Sequence, residues 1–192
     1  MKKLLLLAII GMICTATQAQ VFQKGTKMLS FGIGLGDRYI GSGYSIVVPP
    51  LQANFDLGIT NKIGIGYIGI GGIIGYSINR YDYNYAFYNY NYRYTYSNLT
   101  IASRGTYHFD LDIDKLDLYA GIIIGVNISS VSEKYTGNGK PVPGYVYNPD
   151  GHGGLVAGPF AGARYMFSEN FGAYSELGYA VSILTVGVSF KF

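Results

Sequence analysis

Cysteine occurs once in this chain, tryptophan not at all, histidine twice, and charged residues fill only 13% of 192 positions. The single thiol, Cys14, rules out an internal disulfide framework and a thiolate metal centre. It follows Ile13, a bulky residue where a lipidated cysteine needs a small one, so it reads as one more apolar side chain. Neither sign of charge dominates. The 14 Lys and Arg stand against 11 Asp and Glu, which leaves no electrostatic footprint for nucleic acid. Beyond the N-terminal stretch no apolar run approaches the ~20 residues of a membrane-spanning helix.

Glycine (28) and tyrosine (20) are abundant instead. The chain begins with Met1-Lys2-Lys3, an apolar run from Leu4 to Ile13, and a small-x-small site at Thr17 and Ala19. That order is a secretory signal peptide, expected over 1–19. Removing it takes Lys2 and Lys3 with it, lowers the net charge to about +1, and leaves 20–192 as one domain.

That domain is written largely in period two. In the closing stretch, Leu184, Val186, Val188, Phe190 and Phe192 fall on one face, with Thr185, Gly187, Ser189 and Lys191 on the other. Such alternation marks a strand with one apolar and one polar face. Eight strands are expected, at about 26–36, 45–59, 62–78, 95–109, 116–129, 154–167, 171–179 and 184–192. Pro49-Pro50 cannot donate to a ladder and belongs at a strand's outer end or a bulge. Gly71-Gly72 is a second candidate bulge. Short turns at 60–62, 110–115 and 168–170 alternate with long connections, the longest at 131–153, except that the last link, 180–183, is short. Tyr81, Tyr83, Tyr85, Tyr88, Tyr90, Tyr92 and Tyr94 alternate with one slip near Ala86-Phe87. They are expected to form an outer ribbon continuing strands three and four. A disordered Tyr/Asn-rich loop is the competing reading.

The terminal stretch, the alternation across the chain and the segment Arg104-Gly105-Thr106-Tyr107-His108-Phe109 resemble small eight-stranded Gram-negative outer-membrane β-barrels of OmpA/OmpX type. They also resemble outer-membrane barrel domains described as porin-like. The resemblance implies an all-β, antiparallel, up-and-down transmembrane barrel in the cell outer membrane. It further implies that Leu184, Val186, Val188, Phe190 and Phe192 are read by the outer-membrane assembly machinery. Phe55, Tyr107, Phe109, Tyr165, Phe167, Phe171, Phe190 and Phe192 adjoin short turns or the last residue and are expected to ring the periplasmic interface.

Chemical motifs are few. Gly64-Ile65-Gly66-Tyr67-Ile68-Gly69 has dinucleotide-fingerprint spacing but lacks the following helix that this chemistry needs. His108 lies beside a short turn and His152 in a long loop, so on this reading they occupy opposite ends and share neither metal nor catalytic unit. Arg104, Arg164 and Glu176 fall on the inward face. Centring the β-hairpin of the 168–170 turn on Asn170 predicts Arg164 opposite Glu176, an interior ion pair with Arg104 as a second cation. Together these readings predict a monomeric, non-enzymatic barrel with a filled interior and no cofactor or metal. Its expected partners are outer-membrane lipid, the assembly machinery and an extracellular ligand held by Tyr-rich loops. Porin-like solute transport is the alternative, and a lipid-modifying enzyme a third.

Overall fold

The computed structural model describes residues 20–37, 43–85, 90–137 and 153–192. Eight antiparallel strands close in sequence order: β1 (Lys27–Asp37), β2 (Tyr44–Gly58), β3 (Gly66–Tyr85), β4 (Tyr90–Phe109), β5 (Leu116–Gly137), β6 (Gly154–Met166), β7 (Phe171–Leu177) and β8 (Ser182–Lys191). β8 closes the barrel on β1, from Met28 opposite Lys191 to Asp37 opposite Ser182. The residues 1–19, 38–42, 86–89 and 138–152 lie outside the described set, and with them the expected signal peptide, Tyr88 and His152.

Period two now has a physical meaning. Apolar positions point away from the barrel: Leu155 is 75% exposed, Ile122 70%, and Leu35, Ile33 and Ile74 about half. Polar positions point in, with Asp56, Ser30 and Ser189 fully buried beside Asn54, His108 and Arg164. Such a surface suits hydrocarbon, where every backbone group must be paired within a closed wall. The protein is an outer-membrane β-barrel. β1 begins and β8 ends at the end that carries the short turns, which is the periplasmic end.

Aromatic side chains band that end. Tyr165, Phe167, Phe171, Phe190 and Phe192 are all exposed. Phe171 lies 5.9 Å from Phe167 and 5.4 Å from Phe190, ring centre to ring centre, and Tyr107 lies 5.2 Å from Phe109.

Several expectations are corrected. Gly71-Gly72 is no bulge: β3 pairs with β4 in unbroken register through Gly71↔Arg104 and Gly72↔Ser103. The irregularity sits at Pro49-Pro50, where the β2–β3 register shifts between Ile46 and Leu51, because the second of two prolines still lacks its N–H. The expected loop after Ser129 is strand as far as Gly137, paired with β4 through Tyr92↔Tyr135 and Tyr94↔Glu133. β3 and β4 run past the wall together, through Tyr81↔Tyr94, Tyr83↔Tyr92 and Tyr85↔Tyr90. The outer ribbon is therefore three-stranded, because the extended β4 offers β5 a free ladder.

Two short segments enter the barrel from its ends. At the periplasmic end Val21 and Phe22 are buried with Met28 and Met166. Glycine is required at position 58, where a Cβ would overlap the Gln23 carbonyl. At the outer end the β7–β8 link tucks Ala180 and Val181 against Ile73, Ile123, Val156 and Phe160. Gly75 makes room for this contact, since a Cβ there would overlap Val181.

Candidate functional site

Between the two stoppers lies a charged layer built by five strands. β4 supplies Arg104, β6 Arg164, β2 Asp56, β5 Asp117 and β7 Glu176, all at most 4% exposed. Arg104 holds Glu176 through Nη2–Oε2 at 2.8 Å and meets Asp56 through Nε–Oδ1 at 2.9 Å. The second contact is an ion pair without hydrogen-bond alignment. Arg164 holds Asp117 through Nη1–Oδ2 at 2.7 Å and reaches Asp56 at 3.4 Å. Asp56 thus bridges the two guanidiniums. Arg164 Nε also donates to Ser189 Oγ at 3.0 Å, and Tyr119 OH donates to Glu176 at 3.1 Å. Arg104 lies 4.2 Å from the Phe160 ring centre and Arg164 5.0 Å from that of Tyr119. Buried charges survive only with such pairing and hydrogen bonding.

The three inward charges read from sequence are all in the lumen, in a different pairing. β6 and β7 pair with Arg164 opposite Tyr174 and Glu176 opposite Gly162, two residues from the expected register. A two-residue slip keeps every side chain on its face. Glu176 therefore stays inside, but its ion pair is with Arg104, and Arg164 turns to Asp117, its direct opposite on β5. Asp56 and Asp117 are the partners that sequence reasoning did not name. Their inward parity was readable, since Asp56 alternates with Phe55 and Leu57, and Asp117 with Leu116 and Leu118.

Below this layer, His108 Nδ1 lies 2.8 Å from Asp117 and Nε2 lies 3.0 Å from Thr106 Oγ1. An acid, an imidazole and a hydroxyl in this order could in principle relay a proton. Here Phe22 stacks on the imidazole at 3.4 Å between ring centres, and His108 and Thr106 are buried. A cavity of about 430 Å³ runs from this stack along the β4–β5 turn, lined by Phe22, His108, Asp110, Asp112, Asp114 and Asp117. No group of residues suited to hold a metal ion occurs among the described residues. Lys62, in the β2–β3 turn, bonds Asp110 in the β4–β5 turn at 2.6 Å and holds its carboxyl below the usual range.

At the outer end, tyrosines gather on the axis-facing side of the extension. Tyr92 packs on Tyr135 at 5.3 Å and lies beside Tyr94 at 6.2 Å, while Tyr44 contacts Tyr81 at 5.1 Å and Tyr96 at 5.5 Å. Tyr92 and Tyr94 are each only 7% exposed, and Tyr83 is 41% exposed. The expected exposed tyrosine surface is thus partly a packed cluster that braces three strands. Tyr85 and Tyr90 belong to the strands by their backbone pairing.

In the last strand Phe190 stands on the wall exterior, 6.5 Å from Phe31, and the Phe192 amide donates to the Lys27 carbonyl at 3.1 Å. Leu184 is half-buried and Val186 and Val188 are exposed.

No protein-family profile matches the chain, and no curated protein sequence does. Among solved structures it is similar to the N-terminal β-barrel domain of Pseudomonas aeruginosa OprF, at 14% identity and TM-score 0.44, covering 88% of this chain and 98% of that one. It is also similar to Ail, the attachment invasion locus protein of Yersinia pestis. One Ail structure, in complex with the heparin analogue sucrose octasulfate, gives 10% identity and TM-score 0.48. Another gives 11% and 0.43. Each Ail comparison covers 88% of this chain and 100% of the other.

Proposed function

We propose that this protein is a non-conducting, non-enzymatic outer-membrane barrel that carries a stiff three-stranded arm for surface interaction, with a ligand engaged at the arm's outer end. The observation that carries this is the contrast between the two ends of β3, β4 and β5. Within the wall they enclose a lumen crossed by two apolar stoppers and a charged layer. Beyond it they continue as a paired ribbon braced by tyrosines. Tyrosine offers a large amphipathic surface at low entropic cost, and Tyr83 keeps its ring accessible.

Solute transport needs a continuous aqueous path. The Phe22 stopper, the charge layer and the Ala180–Val181 stopper each lie across the axis, and an eight-stranded barrel has room only for its own side chains. Lipid modification needs a relay open to a substrate, whereas Phe22 covers the imidazole face. The barrel works as a monomer held by lipid, after insertion by the assembly machinery.

The test replaces 82–92 by a short Gly-containing turn. Excision should leave a barrel with heat-modifiable gel migration, silent in planar bilayers like the full chain, and should abolish binding on an array of glycans and host-surface proteins. Ion conductance by the full chain, or unchanged array binding after excision, would refute the reading.

A further inference from the structure

The face of the arm opposite the tyrosines carries a second pattern. In β3 the outward residues are even-numbered, as the exposed Ile74 and Tyr76 show; in β4 they are odd, as Ile101 shows; in β5 they are even, as Ile124 and Ile128 show. Continuing those parities places Arg80, Asp82, Arg93 and Lys134 on the exterior face. Register sets them in rows. Tyr76, Leu99 and Ile128 form the last fully apolar row, and Ile78, Ser97 and Ser130 form a mixed one. Arg80, Thr95 and Ser132 follow, then Asp82, Arg93 and Lys134. A two-residue step along a strand tilted about 40° rises roughly 5 Å along the membrane normal. Arg80 therefore stands about 5 Å, and Arg93 and Lys134 about 10 Å, above the mixed row. With the mixed row at the hydrocarbon edge, Arg80 falls within the headgroup layer and Arg93 and Lys134 just beyond it, within reach of long side chains that bend back.

Charge is sorted between the two faces. The exterior face holds three cations against Asp82, while Glu133 lies opposite Tyr94 on the axis side. Asp82 engages Arg93 only through Nε, at 2.6 Å. Arg80 and Lys134 have no ion-pair partner among the described residues, and Arg80 Nε is buried without a hydrogen-bond partner. Arg93 and Lys134 are direct cross-strand neighbours roughly 5 Å apart, and Arg80 is one diagonal step of roughly 8 Å from Arg93 and, two strands over, roughly 12 Å from Lys134. One phosphate can bridge Arg93 and Lys134, and a second on the same headgroup can reach Arg80.

We infer that Arg80, Arg93 and Lys134 form a binding site for the phosphate groups of outer-leaflet lipid headgroups. The occupant is a lipid because the cations lie on the same face as the hydrocarbon-covered wall, directly above it, with side chains long enough to reach back to the interface. Arginine adds forked, two-point contact with phosphate oxygens, and lysine a point charge.

The test uses the full barrel in phosphatidylcholine nanodiscs doped with bisphosphorylated lipid A or with its dephosphorylated form, read by native mass spectrometry of retained lipid. Wild type should retain the phosphorylated form selectively, and 0.5 M salt should weaken that retention. Each of Arg80→Gln, Arg93→Gln and Lys134→Gln should reduce it about fivefold, and the triple variant should retain both forms equally. Glu133→Gln, on the axis face, should leave selectivity unchanged. Heat-modifiable migration certifies folding of each variant, and the single Lys134→Gln variant decides the matter should the triple variant not fold. Wild-type selectivity in that single variant, or in a folded triple variant, would overturn the site. So would displacement of the lipid by water-soluble glucosamine phosphate at equal concentration, which would assign the cations to a soluble anion.

Discussion

Glu176→Gln is the sharpest probe of the interior. The carboxylate receives Arg104 at 2.8 Å and Tyr119 at 3.1 Å, and its other oxygen receives Gln52 at 3.3 Å. Neutralising it leaves Arg104 buried, with Asp56 as its only remaining carboxylate. Breaking a buried pair by removing one partner costs about 3–5 kcal/mol. The surviving Asp56 contact argues for the lower end, about 3 kcal/mol. With a urea slope near 2 kcal/mol per M, the midpoint should fall by about 1.5 M. Tryptophan is absent, so unfolding in detergent is followed by tyrosine emission and heat-modifiable gel migration. The decisive reading is a pair of double-mutant cycles. Arg104→Met with Glu176→Gln should show a coupling of about 2 kcal/mol, and Arg164→Met with Glu176→Gln under about 0.5 kcal/mol. Equal or larger coupling to Arg164 would restore the pairing expected from sequence and refute the cross-barrel arrangement.

Changing Phe190 and Phe192 together to Asp removes the Phe31 contact at the β8–β1 closure and the Phe171 contact between β7 and β8. Secreted but uninserted protein is expected, read by outer-membrane fractionation, and insertion at wild-type levels would contradict the assembly role. Phe22→Ala empties the ring stacked on His108 and should cost up to about 3 kcal/mol; the cost cannot exceed the free energy of undocking the segment, and a barrel left equally stable would show that the stopper does not stabilise it. Asp110, outside the membrane, has its folded pKa lowered chiefly by its bond to Lys62. Its stabilising contribution is full above the unfolded value near 4 and is lost as pH falls through the lowered folded value. The stability gap between wild type and Asp110→Asn should close on acidification, and a gap independent of pH would refute the linkage.

Strand faces were legible in the sequence because a side-chain period of two survives any even slip in register. That is why Arg164 and Glu176 were correctly turned inward although their hairpin register was two residues off. The slip comes from the turn. The amides of Phe167 and Ser168 both bond the Phe171 carbonyl, so the hairpin centres on Glu169, one residue before the Asn170 on which the sequence reading centred it. The strand nature of 131–137 was hidden for another reason. Ser132 and Lys134 alternate with Val131, Glu133 and Tyr135, a pattern with little apolar contrast, and what orders it is the neighbouring extension of β4.

The charge layer was only half legible, and the missing half has a geometric cause. Arg104 and Asp56 are two strands apart, and Arg104 and Glu176 three. Neither pair is a ladder neighbour, so no hairpin rule reaches them and only closure of the cylinder brings them together. The same closure places Asp56 between two guanidiniums and lets Val21–Phe22 and Ala180–Val181, which lie outside the strands, fill the ends. Alternation decides which side chains enter the lumen, whereas barrel diameter decides which of them meet. A barrel this narrow forces long side chains from opposite walls into contact, so its inward arginines find acids across the lumen.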